Sequence, residues 1–260
     1  MKKAVLVTGA CINTGVAVVE KFASEGYNVV FTGRTPETVE KKEKEYRCKF
    51  PNSEIYGFAI NSLIDERTVD VEGVEKLFST LDEMGIFAEN LVLNAADQGL
   101  GQNIFESPLT DFMRVINTNV VWNFTLTRSA AERMIKNGGG SITFINSNTA
   151  YRAIPDRTAY VTSKGGQLGL MRALALDLGK YGIRVNAVLP GMIRTDRWEN
   201  NPEFYKTVPS RFTPIGDVAD GEDIADAVYY FAAHARNTTG AELVVDGGNT
   251  VQLYPIIPKD

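Results

Sequence analysis

Seven short apolar runs recur along the chain, and they restrict its fold more than any other feature. Each run is rich in Val and Ile with little polar alternation, which is typical of parallel strands buried on both faces of a sheet. Longer amphipathic stretches separate the runs. This alternation predicts a doubly wound α/β domain of Rossmann type, with about seven parallel strands and helices on both faces. The predicted strands are 4–8, 28–32, 54–60, 90–94, 141–146, 184–189 and 242–245.

The stretches between these strands predict helices, and we find no linker or repeat among them. A chain of 260 residues with this pattern is expected to form a single domain, 1–260. The polar stretch 192–216 holds Pro202, Pro209 and Pro214 and fits neither pattern, so we predict a lid segment there. The predicted helices are 15–25, 36–48, 68–84, 109–136, 158–180 and 222–233.

Charge and cysteine content exclude several classes of protein. The net charge is −5 and no basic block stands out, so neither nucleic acid nor a membrane is an expected partner. Cys11, Cys48 and His234 match no zinc spacing or disulfide framework, and we predict no metal site. The apolar run behind the first three residues is too short for a signal peptide, and no run is long enough to span a bilayer, which predicts a cytoplasmic protein.

The first predicted strand runs into a turn of small residues. Thr8-Gly9-Ala10-Cys11-Ile12-Asn13-Thr14-Gly15 connects it to the first helix. Such a turn lets backbone N–H groups face a pyrophosphate at the positive end of the helix. Glycine permits close approach and positive φ angles, and asparagine is the next most tolerant residue in the left-handed region. The residues predicted to hold the phosphates of a dinucleotide are therefore Gly9, Asn13, Thr14 and Gly15.

A serine, a tyrosine and a lysine form the strongest chemical signal. Tyr160 and Lys164 are four residues apart in a predicted helix and share one face. A nearby ammonium lowers the pKa of a phenol, whose ordinary value of about 10 is too high for acid–base work at neutral pH. Ser147 follows a predicted strand at the edge where parallel sheets bind ligands, so its hydroxyl is placed to polarise a substrate oxygen.

Further motifs follow one another in a fixed order. Ser147 precedes Tyr160 by 13 residues, Asn119 lies within the predicted helix 109–136, and 246–248 reads Asp-Gly-Gly after the last strand. In this order the motifs resemble those of the short-chain dehydrogenase/reductase family over 4–248, with Asn13 and Ala96 in place of glycines. The other positions that match are Asn94, Ala95, Pro190, Gly191, Ile193 and Thr195.

The resemblance implies an oxidoreductase that transfers a hydride between a nicotinamide cofactor and a ketone, aldehyde or alcohol carbon. It implies that Tyr160 is the general acid and base, that Lys164 lowers the Tyr160 pKa and binds the nicotinamide ribose, and that Ser147 holds the substrate oxygen. Asn119 is implied to fix a water that links Lys164 to solvent, through a local irregularity of its helix. The residues implied to line the rest of the cofactor site are Asn61, Ser62, Asn94, Ala95, Ala96, Pro190, Gly191, Ile193 and Thr195.

The end of the second predicted strand favours NADP, with NAD as the alternative. An acidic residue there binds the ribose 2′-OH of NAD, whereas an arginine accommodates the 2′-phosphate of NADP. Gly33 occupies the place of the acid, and Arg34 and Thr35 offer a guanidinium and a hydroxyl to a phosphate. Ile12 stands where NADP-preferring relatives often carry a basic residue.

Substrate and assembly are less restricted by the sequence. We expect a small polar carbonyl compound or alcohol of sugar or hydroxy-acid type. The predicted substrate contacts are Ser147, Tyr151, Tyr160 and Trp198. Small residues at 165, 166 and 169 in the predicted helix that carries Lys164, together with the resemblance, imply a homotetramer, or a dimer as the alternative.

Two alternatives stay open. One is a 3-oxoacyl-carrier-protein reductase, which needs a basic patch beside its pocket for an acidic carrier, whereas 176–180 is not notably basic. The other is a non-catalytic NADP sensor. The presence of Asn119, Ser147, Tyr160 and Lys164 disfavours the sensor.

Overall fold

A parallel sheet forms the centre of the molecule in the computed structural model, which describes residues 1–195 and 211–255. Its strands are β1 Lys2–Val7, β2 Asn28–Gly33, β3 Ile55–Ala59, β4 Ile86–Leu93, β5 Gly140–Ile145, β6 Ile183–Pro190 and β7 Glu242–Val245. Their spatial order is β3-β2-β1-β4-β5-β6-β7, and all the pairings between them are parallel. The predicted doubly wound Rossmann-type sheet is confirmed.

Helices cover both faces of this sheet. The α-helices are α1 Asn13–Ser24, α2 Pro36–Lys49, α3 Val71–Glu83, α4 Leu109–Ile116, α5 Trp122–Lys136, α6 Thr158–Gly179 and α7 Gly221–Tyr229. Helix α3 begins at Val71 rather than at 68 because Asp70 caps it: the Asp70 Oδ1 accepts a hydrogen bond of 2.8 Å from the Gly73 N–H.

The stretch predicted as one helix over 109–136 is interrupted. Asn117–Val121 forms a π-helical turn between α4 and α5. In a π-turn the backbone bonds skip five residues instead of four, and such turns are frequent at functional sites. Tyr230–His234 forms a second π-turn after α7, so the predicted helix 222–233 also changes its winding near its end.

Strand β4 begins at Ile86, earlier than the predicted strand 90–94. Ala4 of β1 pairs with Ala88, but Val5 pairs with Asn90, so Glu89 is an extra residue in the ladder. The Glu89 carboxylate meets the exposed Lys3 ammonium at 2.5 Å. This bulged acidic residue interrupts the apolar pattern, and the first half of the strand was therefore not predicted from the sequence.

Two apolar layers enclose the sheet, one on each face. Leu6, Leu91 and Phe144 are fully buried in one layer, and Val7 and Val188 are fully buried in the other. Because both faces are covered, the strands need the continuous apolar runs seen in the sequence. Each such buried side chain contributes about 1.5–3 kcal/mol of transfer free energy.

The strand order reverses between β1 and β4. Connections leave these two strands toward opposite edges of the sheet, which opens a crevice at their carboxyl ends. The turn after β1, the loop after β4 and the loop after β5 all start there. The predicted functional residues of these segments are therefore brought to one edge.

The described helices include none that is long and apolar enough to cross a membrane. Within residues 1–195 and 211–255, His, Cys, Asp and Glu side chains form no group of three or more that could hold a metal ion. Cys11 and Cys48 are free thiols.

Candidate active site

The turn after β1 has the backbone that a phosphate cradle requires. Gly9 has a φ of +64° and Asn13 a φ of +48°, so the asparagine takes the left-handed conformation that the sequence predicts for it. A Cβ added to Gly9 would lie 2.9 Å from Ala95 Cα, and one added to Gly15 would lie 2.6 Å from the Gly9 oxygen. Both glycines are therefore required by close packing.

Polar contacts fasten this turn to the end of β4. The Asn94 Nδ2 donates to the carbonyl oxygens of Thr8 at 2.9 Å and Gly9 at 3.0 Å. In return, the buried Thr8 Oγ1 accepts from the backbone N–H groups of Asn94 at 3.0 Å and Ala95 at 3.1 Å. Asn94 and Ala95 thus fix the conformation of the turn through hydrogen bonds from the end of β4. The sequence analysis did not assign this acceptor role to Thr8.

The N-terminus of α1 fits an anionic ligand. Its N-cap residue, Ile12, is extended and makes no side-chain cap, and the first turn holds no acidic residue. Uncapped N–H groups at the positive end of a helix bind phosphate readily. The turn and the helix end together have the backbone that a pyrophosphate group requires, and the roles of Gly9, Asn13, Thr14 and Gly15 in binding it stay predictions.

The end of β2 is tightly packed around Gly33. A Cβ added to Gly33 would overlap the Cys11 sulfur and lie 2.8 Å from Val39 Cγ2. Arg34 is exposed beside it, and the Thr35 Oγ1 caps α2 by accepting from the Thr38 N–H at 3.3 Å. The edge where a nucleotide ribose would lie therefore carries a guanidinium and a hydroxyl.

The loop after β3 joins the same edge. Asn61 is exposed, and the Ser62 Oγ forms a hydrogen bond of 3.1 Å with the Thr118 Oγ1 at the π-turn. This bond links the predicted adenine side of the crevice to the segment that carries Asn119.

Ser147 and Tyr160 meet at the end of β5. Ser147 is buried, and its hydroxyl faces the Tyr160 phenol closely enough to act on the pKa of that phenol as a hydrogen-bond partner. The Thr149 Oγ1 donates to the Ser147 Oγ at 3.0 Å, which helps to orient the serine. Burial raises the pKa of Tyr160, while the bond to Ser147 and the charge of Arg157 partly oppose this rise.

Lys164 lies one helical turn beyond Tyr160. It is 1% exposed, and its Nζ lies 5.6 Å from the centre of the Tyr160 ring. The ammonium donates to the Ile145 carbonyl oxygen at 3.0 Å and to the Gln167 Oε1 at 3.2 Å. Burial lowers the pKa of Lys164 to about 7, so its charge is sensitive to the contacts around it.

Asn119 lies fully buried in the π-turn, where the expected irregularity of the helix is present. Its Oδ1 accepts from the Asp97 N–H at 2.7 Å, and its Nδ2 donates to the Asp97 carbonyl at 2.8 Å and to the Ser163 Oγ at 2.9 Å. The Asn119 carbonyl oxygen accepts from the Gln167 Nε2 at 2.6 Å. Asn119 thus connects the loop after β4 with α6.

Residues 9–250 match the family model described as "Enoyl-(Acyl carrier protein) reductase", which belongs to the short-chain dehydrogenase/reductase family. The chain is a member of this family. The short-chain dehydrogenase/reductase chain is 31% identical over 255 residues to the NADP-dependent (R)-specific alcohol dehydrogenase of Lentilactobacillus kefiri, covering 96% of this chain and 97% of the relative.

Solved structures agree with this membership. A putative gluconate dehydrogenase from Agrobacterium tumefaciens superposes with a TM-score of 0.86 at 32% identity, over 96% of this chain and 97% of the other. ElxO with NADP bound superposes with a TM-score of 0.86 at 28% identity, over 97% of this chain and all of the other. This short-chain dehydrogenase/reductase therefore shares its fold with a protein whose solved structure holds NADP.

The structure defines the surroundings of the remaining predicted site residues less fully. The Tyr151 hydroxyl is bonded to Glu242 at the start of β7, so its contact with substrate stays a prediction. Trp198 and the greater part of the predicted lid 192–216 lie outside the described residues. At the end of β6, after Pro190, a Cβ added to Gly191 would lie 2.6 Å from Asp246 Cβ.

Ile193 and Thr195 lie next in the chain of this short-chain dehydrogenase/reductase. Ile193 bridges to Ala219 as an isolated parallel pair. Thr195 is partly buried and is the last described residue before 211. This pairing anchors the start of the segment predicted as a lid, while the roles of both residues at the nicotinamide stay predictions.

Sequence reasoning did not predict that two further residues of the enzyme site hold its other residues in place. Arg157 precedes α6 and donates to the carbonyls of Gln98 at 3.1 Å and Gly99 at 3.4 Å, which holds the loop after β4 beside Tyr160. Gln167 is 1% exposed and bonded to Lys164. A polar residue three positions after Lys164, in an otherwise apolar and glycine-rich stretch, was the signal for Gln167.

Proposed function

We propose that the protein is an NADP(H)-dependent oxidoreductase that interconverts a ketone or aldehyde with an alcohol by hydride transfer. The observation that carries this proposal is the contact of Ser147, Tyr160 and Lys164 at the carboxyl edge of the sheet, next to a glycine turn that fits a dinucleotide. Membership of the short-chain dehydrogenase/reductase family supports it.

The chemistry divides among these side chains. The nicotinamide ring, when bound, supplies or receives the hydride. During reduction the Tyr160 phenol donates its proton to the substrate oxygen, and during oxidation the phenolate takes that proton back. Ser147 donates a hydrogen bond to the same oxygen, and the Lys164 ammonium stabilises the phenolate. Because burial raises the Tyr160 pKa, the phenol is protonated at neutral pH, which is the form that carbonyl reduction needs.

The Tyr160→Phe variant tests this role. We expect it to lose turnover, because phenylalanine has no proton to donate, while its affinity for NADPH stays close to the wild-type value. Turnover is followed by NADPH absorbance with a panel of sugar, hydroxy-acid and simple ketones. Tyr181→Phe, which changes an exposed tyrosine, is the matched control. Wild-type turnover in Tyr160→Phe would exclude the proposed role.

NADP is the proposed cofactor, with NAD as the alternative. Arg34 is exposed at the end of β2, and the tightly packed Gly33 stands where an acidic residue would select NAD. The NADP-dependent alcohol dehydrogenase relative supports this choice. Arg34→Ala is expected to weaken NADPH binding at least about tenfold, the loss of about 1.4 kcal/mol, and to leave NADH binding unchanged. Arg128→Ala, on the exposed side of α5, is the control, and equal losses for both nucleotides would refute the assignment.

The proposed substrate is a small polar carbonyl compound of sugar or hydroxy-acid type. Polar side chains gather around Tyr160 on the side of the loop after β4, and the solved relative named as a putative gluconate dehydrogenase supports such a substrate. The polar residues that line this wall together with Tyr160 are Gln98, Gln102, Ser107, Asp111, Asp156, Arg157 and Thr158. A preference for simple aliphatic ketones in the substrate panel would contradict this class.

A 3-oxoacyl-carrier-protein reductase is the second candidate, and it is supported by a relative of that name from Aquifex aeolicus, which is 28% identical over 247 residues. The end of α6 gives it little support, because Asp177 and Lys180 balance each other there. Turnover of a carrier-linked 3-oxoacyl substrate in preference to the free substrates would establish it. A non-catalytic NADP sensor is the third candidate, and turnover with any carbonyl in the panel would exclude it.

We further propose a homotetramer, with a dimer as the alternative. Val121 and Phe124 are exposed apolar residues at the junction of the π-turn and α5, and Leu176 is exposed on α6. Apolar residues on neighbouring helix faces favour self-association. The molar mass measured by light scattering distinguishes a tetramer, a dimer and a monomer, and a monomer would contradict the proposal.

A further inference from the structure

A buried carboxamide connects the two halves of the active site. Gln167 is 1% exposed on α6. Its Oε1 accepts from the Lys164 Nζ at 3.2 Å and from the Asn146 Nδ2 at 3.0 Å. Its Nε2 donates to the Asn119 carbonyl oxygen at 2.6 Å. Each end of the amide therefore has partners of the matching type, which determines its orientation.

We propose that Gln167 is a positioning residue for the Tyr160–Lys164 pair, which joins the Lys164 ammonium to the backbone of the π-turn at Asn119. The inference rests on the proposed function, because it assigns a role at the same site. Gln167 occupies the place between Lys164 and Asn119 where the family resemblance implies a water.

The π-turn makes this contact available. In an α-helix a carbonyl oxygen is directed at the N–H four residues later, whereas a π-turn disturbs that ladder. The Asn119 oxygen is approached by two side-chain amides, Asn123 at 2.9 Å and Gln167 at 2.6 Å. A buried amide is destabilised when it is left without hydrogen-bond partners, so these contacts hold the Gln167 side chain in place.

The amide in turn restricts the ammonium. Lys164 has two described acceptors, the Ile145 carbonyl and the Gln167 Oε1, and its third direction is left for Tyr160 and a ligand. Among the described residues, Tyr160 is the titratable group that faces Lys164, and the other partners of the Lys164 ammonium are neutral. A carboxamide neither gains nor loses a proton near neutral pH. Gln167 therefore orders Lys164 without carrying a proton away from it.

Two substitutions with side chains of similar size are expected to shift the Lys164 pKa in opposite directions. Gln167→Leu removes an acceptor from a buried ammonium, so the Lys164 pKa is expected to fall by about one pH unit, the equivalent of one hydrogen bond to a charged group. Gln167→Glu places a carboxylate against the ammonium, so the Lys164 pKa is expected to rise. A residue that only fills space would not produce shifts of opposite sign.

The decisive measurement is an NMR titration of lysine Cε signals in the nucleotide-free protein, with Lys164 assigned through its loss in Lys164→Met. Met171→Leu, a buried apolar exchange on the same helix, is the control and is expected to leave the titration unchanged. Opposite shifts in the two Gln167 variants support the proposal. A Lys164 midpoint that stays at the wild-type value in Gln167→Leu overturns it, whether or not the enzyme turns over.

Kinetics supply an independent readout. In Gln167→Leu, kcat is expected to fall about tenfold with little change in the substrate KM, and the pH profile of kcat is expected to shift. An unchanged profile would contradict the positioning role. If wild-type protein reduces no carbonyl, the proposed function fails, while the NMR titration still decides the role of Gln167.

Discussion

Replacement of Gly15 by alanine tests whether the packing of the glycine turn positions the cofactor. A Cβ on Gly15 would lie 2.6 Å from the Gly9 oxygen, 2.7 Å from Ala10 Cα and 2.7 Å from Asn94 Nδ2. Non-bonded carbon atoms pack at about 3.5–4.0 Å, so the turn must move by about 1 Å. Two of the three neighbours are backbone atoms, which cannot yield by a change of rotamer.

We expect Gly15→Ala to lower the free energy of unfolding by about 1–3 kcal/mol, the usual cost of overpacking. Gly15 does not have a positive φ, so the steric effect acts without backbone strain. The displaced N–H groups no longer face the pyrophosphate, and NADPH affinity is expected to fall about tenfold or more. Urea unfolding measures the first quantity, and titration of NADPH fluorescence measures the second.

Gly179→Ala is the matched control. A Cβ there meets nothing within 4 Å, and the glycine ends α6 without a positive φ. This variant is expected to gain about 0.5–1 kcal/mol of stability and to bind NADPH as the wild type does. If Gly15→Ala unfolded at the wild-type urea concentration and bound NADPH equally well, the packing argument would be refuted.

Two further substitutions test the residues that support the site. Thr8→Val leaves the Asn94 and Ala95 N–H groups without their side-chain acceptor. We expect the free energy of unfolding, measured in urea, to fall by about 2–4 kcal/mol, and a change smaller than the experimental error would refute this role of Thr8. Lys164 has a folded-state pKa of about 7, so the unfolded chain binds more protons between that pH and about 10.5. Wild-type stability therefore rises with pH across this window, whereas Lys164→Met is expected to lose that slope in pH-dependent unfolding.

Local patterns were enough to predict the sheet and most of the site. Continuous apolar runs identified all seven strands that the structure describes, because strands covered on both faces are built mainly from apolar residues. The tolerance of asparagine for positive φ identified Asn13 as part of the turn, and the structure confirms that conformation. Spacing alone placed Tyr160 and Lys164 on one face of α6.

Features that depend on distant partners were not predictable in this way. Glu89 is a bulge in β4 that is defined by the register against β1, the strand whose Lys3 pairs with it. No local pattern marks Thr8 as the acceptor for the loop after β4. The partner of the Tyr151 hydroxyl, Glu242, lies 91 residues later in the chain, and no local pattern indicates this contact.

The sequence by itself determined the fold class through its periodicity. Residue type and spacing along the chain determined which residues are candidates for the site, and the order of the motifs supplied the resemblance to the family. Only the tertiary structure decided how that chemistry is held. Asn119 and Gln167 are 48 residues apart in the chain, yet the π-turn brings the Asn119 carbonyl within 2.6 Å of the Gln167 amide. Hydrogen bonds of this kind depend on how α5 and α6 pack on β4 and β5, and that packing is a property of the whole domain.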